Sequence, residues 1–343
     1  MARVSESPLS PARPRSAWRR LEIPQTQTVY VAVAFAALIV VIWILAPVFM
    51  TPRNLLNISK NFSFIALMSL GETLVIISGG IDLSVGSVCA LSAVVTMMLM
   101  RFLSATAAAQ VPGATITLAV FSALALAALI GFVNGMLIAR VRLSPFVTTL
   151  GMLSVARGVT YVLTQGRAQY PTGPDVAAFT RFANGAVLGL PTQLVYLLML
   201  AALMALTLRH LVWGRHVYAV GGNPQAAALI GVRVSRLVVS VYVLSGLAAG
   251  FSGVLIAGWL GAAPANLATG YELRVIAAAV IGCANLAGGV GGATGAVLGA
   301  ALIEVIRNGF VLIGANTYWE EVFVGVIIII AVLVDQLRTR RVF

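Results

Sequence analysis

Acidic residues within the apolar stretches of this sequence are the first candidates for chemistry. Glu72 and Asp82 lie around the end of one apolar stretch, and Glu304 and Arg307 lie three residues apart in another. An ionisable side chain inside a membrane is costly, so it marks a functional site by default. The i, i+3 spacing puts Glu304 and Arg307 on one helical face, where they can pair. We leave open whether this is a structural pair or part of a solute pathway; the scarcity of other acids in the apolar centres disfavours proton coupling.

Two glycine-rich breaks separate closely spaced apolar runs. The first continues from Gly79-Gly80 through Ile81-Asp82-Leu83-Ser84-Val85-Gly86, and the second runs from Gly288 to Gly292. We predict that Asp82 is the N-cap of the following helix and that Gly86 allows close packing at its start. Irregular backbone near a membrane is tolerated where it is buried in protein or lines a watery cavity. The breaks therefore predict either a gate for a polar solute or tight turns between packed helices. The candidate pathway or gate residues are Gly79, Gly80, Asp82, Ser84, Gly86, Gly288 and Gly289.

The segment 213–236 differs from the other connections. Asn223 followed by Pro224 predicts a helix N-cap with proline in the first turn, the run Gln225–Ile230 favours a short helix, and Gly231 favours its end. A short helix with a small-residue face can enter a cleft on a partner protein. The alternative is an ordinary turn at the membrane interface.

Several classes of site are excluded or disfavoured by the residue types. The only lysine, Lys60, has no glycine near it, so the chain has no phosphate-binding loop for ATP. His210 and His216 have no acidic or cysteine partner nearby, and Cys89 and Cys283 lie in apolar stretches typical of inert packing residues. We therefore predict no metal site, no catalytic residue and no enzymatic activity.

The composition requires a membrane around most of the chain. Of 343 residues, 60% are hydrophobic and 9% are charged, against about 25% charged in soluble domains. We predict an all-α polytopic membrane protein with about ten transmembrane helices, each of about 20 residues. A tail at 1–28 and a tail at 338–343 flank a transmembrane domain at 29–337. The spans are expected near 29–49, 59–78, 83–103, 114–139, 145–164, 193–212, 237–260, 273–289, 292–313 and 320–337. The closely spaced pairs at 59–103 and 273–313 are alternatively broken or re-entrant elements.

The arginine distribution predicts the orientation. The net charge of +12 comes from short clusters between apolar runs, which is typical of cytoplasmic loops and not of a nucleic-acid site. With both termini inside, the cytoplasmic segments hold 14 of the 22 basic residues. Five of them are in the first tail, and the others are Arg140, Arg142, Arg209, Arg215, Arg233, Arg236, Arg338, Arg340 and Arg341. The remaining eight lie on the opposite side and at span ends: Arg53, Lys60, Arg101, Arg157, Arg167, Arg181, Arg274 and Arg307.

Four stretches together resemble the ribose-type sugar permeases of ATP-binding-cassette (ABC) importers, the membrane subunits of bacterial carbohydrate uptake systems. They are GETLVIISGGIDLSVGSVCAL (Gly71–Leu91), SPFVTTLGMLSVARGVTYVLTQG (Ser144–Gly166), GRHVYAVGGNPQAAALIGVRVSRL (Gly214–Leu237) and GYELRVIAAAVIGCANLAGGVGGATGAVLGA (Gly270–Ala300). The likeness extends from about residue 29 to residue 336. The GIDLSVG and GGNPQAA strings are its most specific parts.

The resemblance implies a multi-pass subunit of a bacterial inner membrane that imports a pentose or hexose by alternating access. It implies a separate cytoplasmic ATPase that binds ATP, an extracytoplasmic sugar-binding protein and a second permease copy or paralogue. The chain itself would bind no cofactor. The coupling helix on the ATPase would correspond to Asn223–Gly231, and the implied coupling residues are Gly221, Gly222, Asn223, Pro224, Ala227 and Gly231. A stand-alone secondary carrier or channel explains the hydropathy equally well but not the docking-like segment.

Overall fold

The computed structural model describes residues 25–316, 319, 322–326 and 329. Most of the predicted first tail, most of the predicted last span at 320–337 and the whole of the tail at 338–343 lie outside the described residues. The bounds of the helices are α1 Gln25–Leu45, α2 Pro52–Ile77, α3 Val85–Leu103, α4 Ala114–Ala139, α5 Pro145–Thr164, α6 Val176–Asn184, α7 Thr192–His210, α8 Val212–Gly222, α9 Pro224–Leu229, α10 Val234–Leu260, α11 Tyr271–Ile281 and α12 Ala293–Leu312. Two short 3-10 helices cover Pro47–Met50 and Ala107–Gln110.

The described chain is mostly helical, as predicted. The exception is a two-stranded hairpin between α6 and α7, in which β1 (Ala186–Val187) pairs antiparallel with β2 (Leu190–Pro191). The hairpin is too short to form a layer of its own, and the long helices form the body of the protein.

Seven of the described helices are long and apolar enough to cross a membrane. They are α2, α3, α4, α5, α7, α10 and α12, and each overlaps one predicted span. The helix of the predicted first span ends at Leu45 and not at residue 49, since Ala46 precedes Pro47 and takes an extended conformation. A residue before proline is disfavoured in the helical region. The predicted total of ten spans is therefore not reached within the described part of the chain.

The predicted span at 273–289 is wrong. Helix α11 has 11 residues and ends at Ile281, so it rises only about 16 Å, half of a hydrocarbon core. The chain then turns, with positive φ at Cys283 (+71°) and Gly288 (+89°). We call residues 282–292 the α11–α12 loop. Apolar composition predicted a continuous helix here, but these backbone conformations end it.

Helix α10 occupies the centre of the bundle and packs against α2, α3 and α4. Small residues allow this close approach. A Cβ added at Gly131 of α4 would overlap the Tyr242 carbonyl oxygen, and one added at Gly246 of α10 would overlap the Ala127 carbonyl oxygen. Such contacts between backbones are typical of helix packing in membranes, where small residues stand in place of a hydrophobic driving force.

Glu304 and Arg307 form a bidentate ion pair on α12. Arg307 Nε donates to Glu304 Oε2 at 2.9 Å and Nη2 donates to Oε1 at 2.6 Å. Glu304 is 1% exposed and the arginine is 31% exposed. The predicted pairing is confirmed, and it accounts for a buried carboxylate in an apolar helix.

Candidate functional site

The end of α2, the end of α8 and the second glycine segment meet in one backbone junction. The Gly289 N–H donates to the Ile77 carbonyl, the last of α2, at 2.8 Å. A Cβ added at Gly221 would overlap this same carbonyl oxygen and lie 2.6 Å from the Gly289 nitrogen. A Cβ at Gly288 would lie 2.6 Å from the Gly221 carbonyl oxygen. The glycines predicted for coupling and those predicted for a gate are therefore in direct contact, which no local pattern in the sequence specifies.

Tyr218 of α8 fixes the α11–α12 loop on the other side of this junction. Its hydroxyl donates to the Gly291 carbonyl at 2.8 Å. Burial raises the pKa of Tyr218, so the phenol keeps its proton and remains a donor. Within the loop, the Asn285 N–H donates to the Val290 carbonyl at 3.0 Å and the Asn285 side chain accepts from the Ala287 N–H at 2.7 Å. These bonds satisfy backbone groups of the loop itself, which has no regular helix or strand to pair them.

Asp82 organises the first glycine break but is not the N-cap of α3. Helix α3 begins at Val85, and Ser84 occupies the capping position. Asp82 Oδ1 accepts from the Ser84 N–H at 3.0 Å and from Ser84 Oγ at 2.6 Å, which is a local side-chain turn and not a cap. Asp82 Oδ2 accepts from Ser245 Oγ of α10 at 3.0 Å. The N-cap prediction is therefore wrong, because this carboxylate binds the turn itself and a distant helix.

A second buried carboxylate lies beside Asp82. The Asp82 N–H donates to Glu72 Oε1 at 3.0 Å, and the two side chains are 1% and 0% exposed. Glu72 Oε2 has no hydrogen-bond partner among the described residues. The two buried acidic residues around this glycine turn form a polar centre inside an apolar bundle. A role of Asp82 in the solute pathway stays a prediction.

Residues that the sequence analysis missed hold the first break in place. The Tyr242 hydroxyl of α10 donates to the Ile81 carbonyl at 3.2 Å, and Asn134 Nδ2 of α4 donates to Ser84 Oγ at 3.0 Å. A Cβ at Gly80 would lie 2.5 Å from the Tyr242 hydroxyl, whereas Gly79 has open space and needs glycine for its φ of +86°. The available signal was a polar residue, Asn134, in an otherwise apolar run.

Gly86 contacts a third irregular segment, residues 261–270, which connects α10 to α11. A Cβ at Gly86 would overlap Glu272 Oε2 and lie 2.8 Å from the Ala268 carbonyl oxygen. Arg157, the thirteenth residue of α5, donates to the Leu267 carbonyl at 2.6 Å and to the Ala268 carbonyl at 3.4 Å. The close packing expected at Gly86 is confirmed. Pro264, Asn266 and Gly270 are residue types that interrupt helices, and they are the signal for this segment in the sequence.

The short helix in the segment 213–236 is confirmed as α9. Asn223 caps it, accepting from the Ala226 N–H at 2.9 Å, and Pro224 is its first residue. Gly231 follows its end with a φ of +89°. The first half of the segment is not a loop, since α8 continues to Gly222.

Burial divides the predicted coupling residues into two groups. Ala227 is 2% exposed and Gly221 is enclosed by the junction, whereas Gly222, Asn223, Pro224 and Gly231 are exposed. The surface of α9 is instead dominated by Leu229 (88% exposed) and Ile230 (78% exposed). A cleft of about 420 Å³ beside them is lined in part by Arg140, Arg233 and Arg236. An apolar tip next to a basic cleft is a surface suited to a protein partner with an acidic rim.

A family profile described as "Branched-chain amino acid transport system / permease component" matches residues 54–332. The chain belongs to this permease family. The ribose import permease protein RbsC of Escherichia coli (strain K12) is 39% identical over 309 residues, which are 89% of this chain and 92% of that protein. RbsC of Bacillus subtilis (strain 168) is 34% identical over 302 residues, 88% of this chain and 90% of that one.

A third relative carries a different printed substrate. The galactose/methyl galactoside import permease protein MglC of Escherichia coli (strain K12) is 35% identical over 316 residues, 90% of this permease and 94% of that protein. No solved structure matches the chain. Family membership together with the seven long apolar helices makes this permease a multi-pass membrane protein, in agreement with the predicted location in the inner membrane.

Proposed function

We propose that this permease is the membrane-spanning subunit of an ABC importer that moves a pentose or hexose by alternating access. Its relatives are import permeases for ribose and for galactose or methyl galactoside, and they align over about nine tenths of the chain. The observation that carries the mechanism is the backbone junction of Ile77, Gly221, Gly288 and Gly289.

The junction gives a route for mechanical coupling. Helices α8 and α9 are consecutive, and the apolar tip at Leu229 and Ile230 is exposed for contact with an ATPase. A displacement of α9 carries α8 with it, and the end of α8 has no side chain between its backbone and those of Ile77 and Gly289. Because the contact is rigid, movement of α8 shifts the end of α2 and the α11–α12 loop together.

The remaining partners follow from the same proposal. A cytoplasmic ATPase binds and hydrolyses ATP, an extracytoplasmic binding protein delivers the sugar, and a second permease copy or paralogue completes the pore. The permease acts as a transport subunit and binds no cofactor itself.

Reconstitution tests this proposal against a stand-alone carrier or channel. The permease is inserted into liposomes alone, or together with the ATPase and the sugar-binding protein of the same uptake system. We expect accumulation of radiolabelled ribose or galactose only with both partners and ATP. Uptake by the permease alone, driven by a sugar or ion gradient, would overturn the proposal in favour of a carrier. A Walker-lysine variant of the ATPase is the control for energy input.

A further inference from the structure

The segment between α10 and α11 extends from the ends of the neighbouring helices back into the bundle. Gln169 pairs with Ala263 and Gly173 packs against Ser104, so the ends of α3, α5 and α10 at Leu103, Thr164 and Leu260 lie together. The segment nevertheless reaches Gly86, 17 residues or about 25 Å along α3 from Leu103. It also reaches Arg157, seven residues or about 10 Å before Thr164. The irregular backbone of this segment thus lies between membrane-spanning parts of α3 and α5.

Arg157 is a cation at this level of the bundle, and not all of its hydrogen-bond donors are used. Its two hydrogen bonds go to the carbonyls of Leu267 and Ala268. A guanidinium has five N–H donors, so three are left without a bond to the described residues. The side chain is partly exposed. A partly exposed arginine facing hydrocarbon is costly, so it faces protein or a watery space.

Glu272 supplies an acceptor close to these donors. Its Oε2 is buried and has no hydrogen-bond partner among the described residues. This oxygen and the Ala268 carbonyl oxygen both contact the position that a Cβ would take at Gly86. Arg157 is bonded to that same carbonyl. The Ala268 carbonyl is therefore a neighbour of both the Arg157 guanidinium and the unpaired Glu272 oxygen.

Between Ser154 and Tyr161, the exposed surface of α5 beside Arg157 has two faces of different character. Ser154, Gly158 and Tyr161 follow the i, i+4, i+7 spacing of one face and are all exposed. Before Ser154 this face continues into the apolar Leu150 and Val147. A Cβ at Gly158 would meet no atom within 4 Å. The adjoining exposed face is apolar and consists of Val155, Val159 and Val162. Lipid contact accounts for the valine face, while the small and polar face is suited to water or a polar solute.

We propose that Arg157 and Glu272, at the α10–α11 segment, are a binding station for the hydroxyl groups of the transported sugar, with the Ser154–Gly158–Tyr161 face of α5 as its approach. A sugar hydroxyl both donates and accepts, so one hydroxyl accepts from Arg157 and a neighbouring one donates to Glu272. A compound with neither hydroxyl leaves the buried Glu272 Oε2 and the remaining Arg157 donors unpaired. This inference rests on the proposed function and names where in the permease the sugar is held.

The first test separates binding from turnover in the reconstituted importer. Arg157→Lys keeps the charge but loses the planar fork, and Glu272→Gln keeps the size but loses the anionic acceptor. We expect at least a tenfold rise in the KM for uptake in each variant, measured at saturating binding protein. Arg101→Lys, at the exposed end of α3, is the matched control and keeps the wild-type KM.

The second test reads accessibility without transport. Ser154→Cys and Val155→Cys are neighbours in sequence but lie on the two different faces of α5. A membrane-impermeant thiol reagent should label Ser154→Cys above the wild-type background, and ribose or galactose should slow that labelling. Val155→Cys should remain at background with or without sugar.

The outcomes distinguish this inference from the function on which it rests. Wild-type uptake with unchanged KM in both Arg157→Lys and Glu272→Gln would overturn the binding station and leave the importer intact. Equal labelling of Ser154→Cys and Val155→Cys would do the same. Absence of ATP-dependent uptake by the wild type for any pentose or hexose would overturn the proposed function itself. Elution of each variant as a single species from size exclusion in detergent establishes that it is folded.

Discussion

Asp175 is the carboxylate that holds the start of α4. It accepts from the Gly113 and Thr115 N–H groups at 3.0 and 3.1 Å and from the Thr115 hydroxyl at 2.5 Å. The Thr115 hydroxyl, then the Gly113 N–H, lowers the pKa of Asp175. These bonds satisfy donors that the first turn of a helix leaves unpaired, although the capping residue lies about 60 positions away in sequence.

Asp175→Asn should lower the thermal unfolding midpoint at pH 7. Because the folded-state pKa is depressed, the stabilisation by Asp175 is present above its unfolded pKa of about 4. It is lost as the pH falls further, through the folded pKa. We therefore expect the wild type and the variant to converge at low pH, as measured by unfolding in detergent between pH 3 and pH 7. A constant difference across that range would contradict the assignment. Thr115→Val is the companion variant and should weaken the same pH dependence.

Gly221 and Gly222 are adjacent glycines with opposite requirements. A Cβ at Gly221 overlaps the Ile77 carbonyl oxygen, whereas one at Gly222 meets nothing within 4 Å. Gly221→Ala should therefore separate α8 from the junction and reduce uptake at least tenfold while the chain still inserts. Gly222→Ala should keep wild-type uptake, since alanine is also the better helix former by about 1 kcal/mol. Equal uptake by the two variants would show that the junction transmits nothing.

At the scale of the element, α9 presents a tip that the sequence-based choice of residues did not include. Leu229 and Ile230 are the exposed residues there, and Ala227 faces the protein. A large side chain at Ala227, as in Ala227→Trp, would therefore disturb internal packing and not only the docking surface. The helix itself is set locally, since the Asn223 cap is worth about 1 kcal/mol.

Leu229→Asp should abolish stimulation of the ATPase by the permease, because a charge in the centre of an apolar contact remains desolvated on docking. The measurement is ATP hydrolysis by the reconstituted complex with saturating binding protein. Leu188→Asp is the matched control, because Leu188 is 99% exposed at the β1–β2 turn, far from α9 in the chain. Normal stimulation by Leu229→Asp, with or without an effect of the control, would contradict the docking assignment.

Helix α12 depends on the Glu304–Arg307 pair. Glu304→Gln should destabilise the permease by about 2 kcal/mol, since the arginine loses two charge-assisted hydrogen bonds. The pair spans i, i+3 on one helix and is an internal structural feature, so KM for the sugar should not change. Thermal unfolding of the single variants and of the double variant Glu304→Gln, Arg307→Gln measures the coupling. Additive effects of the two substitutions would show that the two side chains are not coupled and would contradict the stabilising pair.

At the scale of the whole molecule, the arginine distribution and the two exposed tips define a test of orientation. Arg140, Arg233 and Arg236 surround the cleft beside α9, and the positive-inside rule assigns such a cluster to the cytoplasm. The chain crosses the bundle in α7 between the β1–β2 turn and α8, so Leu188 and Leu229 lie at opposite ends.

A cysteine at each tip reports the side of the membrane. In right-side-out vesicles, an impermeant thiol reagent should label Leu188→Cys from outside. It should label Leu229→Cys only after permeabilisation. The two leucines are 99% and 88% exposed, so burial does not bias the comparison. The reverse pattern would invert the orientation.

Local chemistry was sufficient to predict most long helices and α9. Hydropathy over about 20 residues locates helices such as α4 and α10, because a membrane segment must be apolar along its whole length. The Asn223-Pro224 cap and the Gly231 end act within a few residues, so the sequence was sufficient to predict them, and both are confirmed. The contacts of Asp82 could not be predicted in this way, because its carboxylate binds Ser245, 163 positions away.

The sequence by itself determined that this chain is a multi-pass membrane protein of the sugar-importer permease type, with a short capped helix between two apolar spans. Only the tertiary structure decided that α11 is half a span and that Arg157 meets the α10–α11 segment. It also decided that the end of α2, the end of α8 and the α11–α12 loop share one backbone junction. The physical reason is range. Helix formation and capping depend on neighbours in sequence, whereas a glycine that admits another backbone carries no sign of which backbone it will meet.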